Sequence, residues 1–316
     1  MLYKNSIRIL FSNFSLVWKT LLYTFVCLAI IAGASYFTAV PVFKLLTTNG
    51  FFDLIKSTFS SFVNNLNLVE FIKGIGDIYN NFIETIVVNF PNVWLSITLF
   101  LVITLVIGRL LIGLIKMPSS YVLYSSMSSN MKSGLISSFF GNTKKVFAFE
   151  FSKFIITFPI DLIIGYVIIL CFKLFSVGGV VSWLTPFIII LVATILVAFR
   201  ISLFSCWMPS VAVKNDNVFK CLKNNFKLIK RRFFKVFANS IGIVLTIITI
   251  NGFALVFTLG VGLLVTVPLS IVLTIIFQMT AYYSSYGMRY YVDHTTIVEP
   301  KRMAATEKLK RTKYFI

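Results

Sequence analysis

The sequence predicts an all-α fold: a polytopic membrane bundle of about six transmembrane helices, laid out as three hairpins that are each entered through a basic amphipathic elbow. Three observations predict it. Composition is the first, since 58% hydrophobic against 12% charged residues over 316 positions, with a mean hydropathy of +0.92, leaves too little polar surface to coat a soluble globule of that size. Run length is the second, because a helix needs about 20 apolar residues to cross a hydrocarbon core about 30 Å thick. Charge placement is the third. Apart from Lys44, Lys56, Lys73, Lys173 and Arg109, every lysine and arginine falls within residues 1–19, 116–153, 200–235 or 289–316. This is the positive-inside pattern with both termini cytoplasmic. Abundant Phe, Ile, Lys and Asn fit a low-GC bacterial source, so the expected location is the bacterial plasma membrane.

The whole chain reads as one integral membrane domain. Residues 1–19 form the first elbow: Ile7, Ile9, Leu10, Phe14, Leu16 and Val17 fall roughly on one helical face, with Lys4, Arg8 and Asn13 mostly off it. That is an interfacial helix pattern. The amphipathic lead-in argues against a cleaved signal peptide ending at Ala32-Gly33-Ala34. Thr20 to Phe43 carries no charge and makes the first span. Residues 44–84 are an external segment in which Leu68, Phe71, Ile72, Ile75, Ile78, Phe82 and Ile83 keep helical spacing. It is expected to form one or two amphipathic helices, either a lid on the bundle or on lipid, or an entry gate or docking surface.

Thr85 to Gly108 makes the second span and Leu174 to Phe199 the fourth, both uncharged. The third, Phe154 to Phe175, is apolar except for Asp161 and Lys173. From Val236 to Met288 no charge occurs, roughly 80 Å of chain if it were one helix at ~1.5 Å rise. It must therefore be two spans, with Leu259-Gly260-Val261-Gly262 as the turn and Pro268 kinking the last helix. Residues 289–316 are a basic tail bearing Lys301, Arg302, Lys308, Lys310, Arg311 and Lys313.

Internal repetition supports the three-hairpin plan. Arg109 precedes Met117-Pro118-Ser119 by the same interval at which Arg200 precedes Met208-Pro209-Ser210. Each motif is expected to end a helix, since proline lacks a backbone donor. A polar stretch and a basic aromatic segment follow each, starting at Lys144-Lys145 in one case and Lys227 in the other.

The candidate site is intramembrane, because a carboxylate in hydrocarbon is costly unless paired, neutralised or hydrated. Asp161 and Arg109 lie at matching depths on consecutive spans, which predicts an ion pair with Arg200 as a possible third member. On the third span Thr157, Asp161 and Gly165 share a face, as do Arg109 and Gly113 on the second. The trio is either a structural lock or a transport site, where Asp161 exchanges a proton or cation and the arginines meet an anion. In the elbows, Lys144, Lys145, Lys227, Lys230, Arg231, Arg232 and Lys235 are expected to contact anionic inner-leaflet headgroups. An ATPase partner is the alternative there, and nucleic acid is not expected. Asn239, Ser240, Asn251, Gln278 and Thr280 read as interhelical hydrogen-bonding residues.

No enzyme constellation can be assembled. His294 is the only histidine, and Cys27, Cys171, Cys206 and Cys221 stand apart, without metal spacing or a disulfide framework. No cofactor or metal is expected. The function classes left are a transport component or permease-like protein and, as the alternative, a noncatalytic scaffold or partner subunit.

The stretch Trp207-Met208-Pro209-Ser210-Val211-Ala212-Val213-Lys214-Asn215, with the basic elbow and two closing spans after it, resembles a group of uncharacterised bacterial six-span proteins. The group includes the membrane domain attached to some glycerophosphodiester phosphodiesterases. The resemblance covers about the last third of the chain and implies a six-helix membrane domain. It implies no phosphodiesterase activity.

Overall fold

The computed structural model describes residues 2–176, 184–230, 232–293 and 295–299. The fold is 87% helical. Six helical stretches are long and apolar enough to cross a membrane: Phe14–Thr48, Val93–Ser129, Thr143–Phe175, Thr185–Lys214, Phe233–Phe257 and Leu263–Tyr286. The chain is a multi-pass integral membrane protein of the all-α class. His294, Arg231 and the basic residues from Lys301 onward lie outside the described residues.

The chain divides into two compact units, Met1–Phe25 with Ile112–Ile316, and Val26–Leu111. The first unit holds α1 (Leu2–Ser12), the start of α2 (Phe14–Thr48), α7 (Lys116–Ser129), α8 (Leu135–Gly141), α9 (Thr143–Ser176), α10 (Thr185–Leu203), α11 (Trp207–Lys214), α12 (Val218–Ile229), α13 (Phe233–Phe257) and α14 (Leu263–Tyr286). A two-stranded antiparallel ribbon, Tyr290–Tyr291 with Ile297–Val298, follows α14. The α13–α14 turn falls at the expected glycines, with Leu259 and Gly260 both at positive φ.

The Met-Pro-Ser motifs correct the sequence reading. They open helices rather than end them: Pro118 lies in the first turn of α7 and Pro209 in the first turn of α11. The first turn has no intrahelical use for those N–H groups, so proline costs nothing there. What ends instead is the preceding helix, at Ile115 and at the Phe204–Cys206 turn.

These reopened helices organise the first unit. α7, α11 and the end of α14 pack against one another, and each stops at a left-handed residue: Asn130, Asn215 and Gly287. Asparagine and glycine are the residues that take this conformation readily. Each exit helix also carries an elbow: α8 packs on α7, α12 on α11, and α1 on α14. The first elbow thus closes the cycle on the last hairpin.

Two of the elbows share a sequence pattern, Lys4-Asn5-Ser6 in α1 matching Lys223-Asn224-Asn225 in α12. Val17, Val146 and Val236 are buried at the foot of α2, α9 and α13. The apolar face of α1 meets protein: Ile9 and Leu10, followed by Leu16 and Val17 in the first turn of α2, join the core with Trp207, Met117, Tyr282 and Tyr283. Ser6 Oγ meets Thr280 Oγ1 at 2.9 Å, Tyr3 Oη meets Thr246 Oγ1 at 2.9 Å, and the Tyr3 N–H donates to Asn239 at 3.2 Å.

Of the polar residues expected to bridge helices in the last two spans, Asn239, Ser240, Asn251 and Thr280 do so, and Gln278 does not among the described residues. Ser240 exchanges a 2.8 Å bond with Ser202 of α10, while Asn251 donates to Ser270 at 2.9 Å and accepts from Thr266 at 2.8 Å. With lipid as the surroundings, such bonds and close packing take over the role that water-driven burial has in soluble cores.

The second unit holds the rest of α2, then α3 (Phe51–Asn65), α4 (Leu68–Val88), α5 (Phe90–Leu101), a π-helical segment Val102–Gly108 and the start of α6 (Arg109–Leu114). The segment after the first span is helical as expected. α3 and α4 form a hairpin, with Asn67 capping α4 by accepting from Val69 N–H at 3.1 Å. Phe62 and Phe59 meet Phe71 at ring distances of 4.4 and 5.4 Å. Gly74 permits a close approach, since a Cβ there would strike the Thr58 side chain.

Candidate functional site

Helix α9 carries a polar stripe at helical spacing: Glu150, Lys153, Thr157 and Asp161. The stripe begins with a carboxylate that is only 4% exposed. Glu150 fits because it faces Gly113, where any added Cβ would occupy the space of its carboxylate. Lys153 Nζ lies 3.2 Å from Glu150 Oε2 and 5.5 Å from the centroid of the Phe149 ring. Thr157 Oγ1 donates back to the Lys153 carbonyl at 2.8 Å, keeping its hydroxyl satisfied within the helix.

At the other end of the stripe, Arg200 of α10 grips Asp161. Nη2 donates to Oδ2 at 2.9 Å and Nε pairs with Oδ1, a two-pronged contact in which each side chain keeps about a quarter of its surface exposed (26% and 28%). The fork geometry of guanidinium on carboxylate gives such a contact direction as well as charge. The pair described within the first unit is therefore Asp161 with Arg200. Arg109, the partner expected first, belongs to the second unit, where it directly follows the π-helical segment.

Two cavities stand out, and neither is lined by Asp161. One is a polar niche of about 30 Å³ beside Asn13, Ser126 and Asp293 in the first unit, and the other is an apolar groove of about 660 Å³ along α2 in the second. The niche has room for about one water. Asp293 beside it is held at about 2, chiefly by its hydrogen bond with Thr296 and also by the backbone N–H groups of Thr295 and Thr296. Its carboxylate also meets Arg8 at 3.1 Å.

The basic elbow is built on Asn225. This fully buried residue of α12 accepts from Cys206 N–H at 2.9 Å and donates to the Leu203 carbonyl at 2.7 Å, meeting the groups left open where α10 breaks. Trp207 Nε1 donates to the Val218 carbonyl at 2.9 Å, tying α11 to the start of α12. With Val218, Cys221, Asn225 and Ile229 facing inward, Lys220, Lys223, Lys227 and Lys230 are left exposed. Phe219, Phe226 and Phe234 are exposed beside them. Burial pushes the Cys221 thiol up, so it stays protonated and inert.

Of the other residues expected at headgroups, Lys144 and Lys235 are exposed. Lys145 instead donates to the Asn215 carbonyl at 3.0 Å, and Arg232 to the Ser284 carbonyl, so both also hold helix ends. Lys214 lies 4.6 Å from the Tyr286 ring centroid. Among the described residues no group of His, Cys, Asp and Glu is placed to hold a metal ion. No family model, no curated protein and no solved structure matches the chain.

Glu150 and Asn225 did not stand out in the sequence, and Gly113 did so only as a small residue on the face of Arg109. Glu150 has one available signal, its i,i+3 spacing to Lys153 at the foot of an apolar run. Asn225 has another, the repeated Lys-Asn-polar triplet of the elbows.

Proposed function

We propose that this is a noncatalytic membrane protein of the bacterial plasma membrane, with both termini cytoplasmic, that organises anionic lipid or a partner subunit around its elbows. One observation carries the reading: α12 buries its apolar face on α11 and presents lysines with interleaved phenylalanines on the other. Lysines near an anionic leaflet contribute about 1 kcal/mol each, and the aromatic rings supply the apolar anchor. The test is lipid analysis of the protein in nanodiscs of mixed phosphatidylglycerol and phosphatidylcholine. The triple change Lys223→Gln, Lys227→Gln, Lys230→Gln should reduce phosphatidylglycerol enrichment at least tenfold; undiminished enrichment refutes the reading.

A transport component is the second reading, supported by the polar stripe from Glu150 to Asp161 on a membrane-crossing helix. Asp161→Asn in proteoliposomes separates the two. Loss of a proton-gradient-driven flux with phosphatidylglycerol enrichment unchanged selects transport.

A further inference from the structure

The apolar groove on α2 has the dimensions and charge of a site for one phospholipid acyl chain. It runs along the outer half of the helix, floored by the small side chains of Ala32, Ser35 and Ala39 and walled by Phe43, with Lys44 and Thr48 at one end. Phe43 is fixed in place by stacking on Phe52, with centroids 5.8 Å apart and planes within 2°. The groove lies open along the face of this one helix and measures about 660 Å³.

Depth and charge identify the occupant. The uncharged run of the first span extends from Thr20 to Phe43, so Ala32 sits at its middle and Lys44 at its edge. From Ala32 to Lys44 the helix rises ~18 Å, close to the ~15 Å of one leaflet in a ~30 Å core. A chain anchored at Lys44 therefore reaches the midplane at Ala32. Lys44 is exposed and has no ion-pair partner among the described residues, while the neighbouring Thr47 and Thr48 hydroxyls are spent on backbone carbonyls of their own helix. Its ammonium is left for an anion at the headgroup level.

We infer that this groove holds a single acyl chain of an anionic phospholipid, with the headgroup phosphate on Lys44. The site is independent of the lysines of α12.

Photolabelling tests it, using the full chain in vesicles of phosphatidylglycerol and phosphatidylcholine doped with phosphatidylglycerol that bears a diazirine in its acyl chain. Peptides covering residues 32–48 should be labelled at least fivefold above the other spans. Ala39→Phe, which fills the groove, should remove that excess, and Lys44→Gln should cut the preference for labelled phosphatidylglycerol over the phosphatidylcholine analogue about tenfold. If Ala39→Phe alters the helical circular dichroism, Ala32→Leu serves in its place. Labelling spread evenly over all spans, or an excess unchanged by filling the groove, means ordinary annular lipid and overturns the assignment.

Discussion

The two compact units hold themselves together in different ways. In the first, a continuous core of buried side chains runs from Ile9 of α1 through Met117, Trp207 and Tyr282 to Val292. Among the described residues none of that core comes from the second unit, where only Cys27, Leu46 and Val93 are buried hydrophobics. Its spans present Phe37, Trp94, Leu95 and Leu105 outward, as helices solvated by lipid do. The lesson is that apolar composition, similar in both units, specifies membrane residence. Tertiary packing in the first unit is specified by buried polar contacts between helices, such as Ser240 with Ser202 and Asn225 with Leu203.

Matched truncations sharpen the contrast most. Trp207→Ala removes a fully buried ring and its bond to Val218 and should destabilise the protein by ~3–5 kcal/mol. Phe62→Ala removes a half-buried ring whose main contact is Phe71 and should cost about 1 kcal/mol. Unfolding of each variant in mixed micelles, followed by circular dichroism, measures both. Equal losses would erase the distinction between the units.

Asn225→Ala comes next. It strands the Cys206 N–H and the Leu203 carbonyl at a buried helix break, at ~1–3 kcal/mol per orphaned group. In the same unfolding assay, Asn225→Asp should rescue poorly, because a carboxylate cannot donate to Leu203. Full rescue by Asp would mean that the donated bond carries no weight.

The smallest effect is one of pH. Asp293 is depressed from 3.8 to about 2, so its contribution to the turn is complete above about 4 and is lost as pH falls through 2. The Thr296 amide shift should titrate with a midpoint near 2 by NMR. A midpoint near 3.8 would show that the Thr295 and Thr296 contacts do not hold the carboxylate in solution.

The sequence made the spans legible because hydrocarbon thickness is a length constraint that any run of twenty apolar residues answers. It made the last turn legible through Gly260 and the helix-bridging roles of Ser240, Asn251 and Thr280 through their isolation in apolar runs. The partner of Asp161 was harder. Matching depth on consecutive spans pointed first to Arg109, with Arg200 as a third member, while the contact described within the first unit is the one across α9 and α10, Asp161 with Arg200. Glu150 was obscured because its burial depends on Gly113, far away in sequence, having no side chain. The Met-Pro-Ser motifs were read in the wrong direction because proline stops a helix before it and starts one after it with the same chemistry.

The closure of α1 on α14 has a consequence for synthesis. Tyr3 pairs with Thr246 and Ser6 with Thr280, across 243 and 274 residues of chain. At ~5–20 residues per second, α1 leaves the ribosome roughly 12 to 55 s before its seat exists. During that interval an amphipathic helix bearing Lys4 and Arg8 has only the membrane surface to cover its apolar face. The interfacial character written into its sequence thus describes where α1 waits, and the buried face in the folded chain describes where it is finally stored.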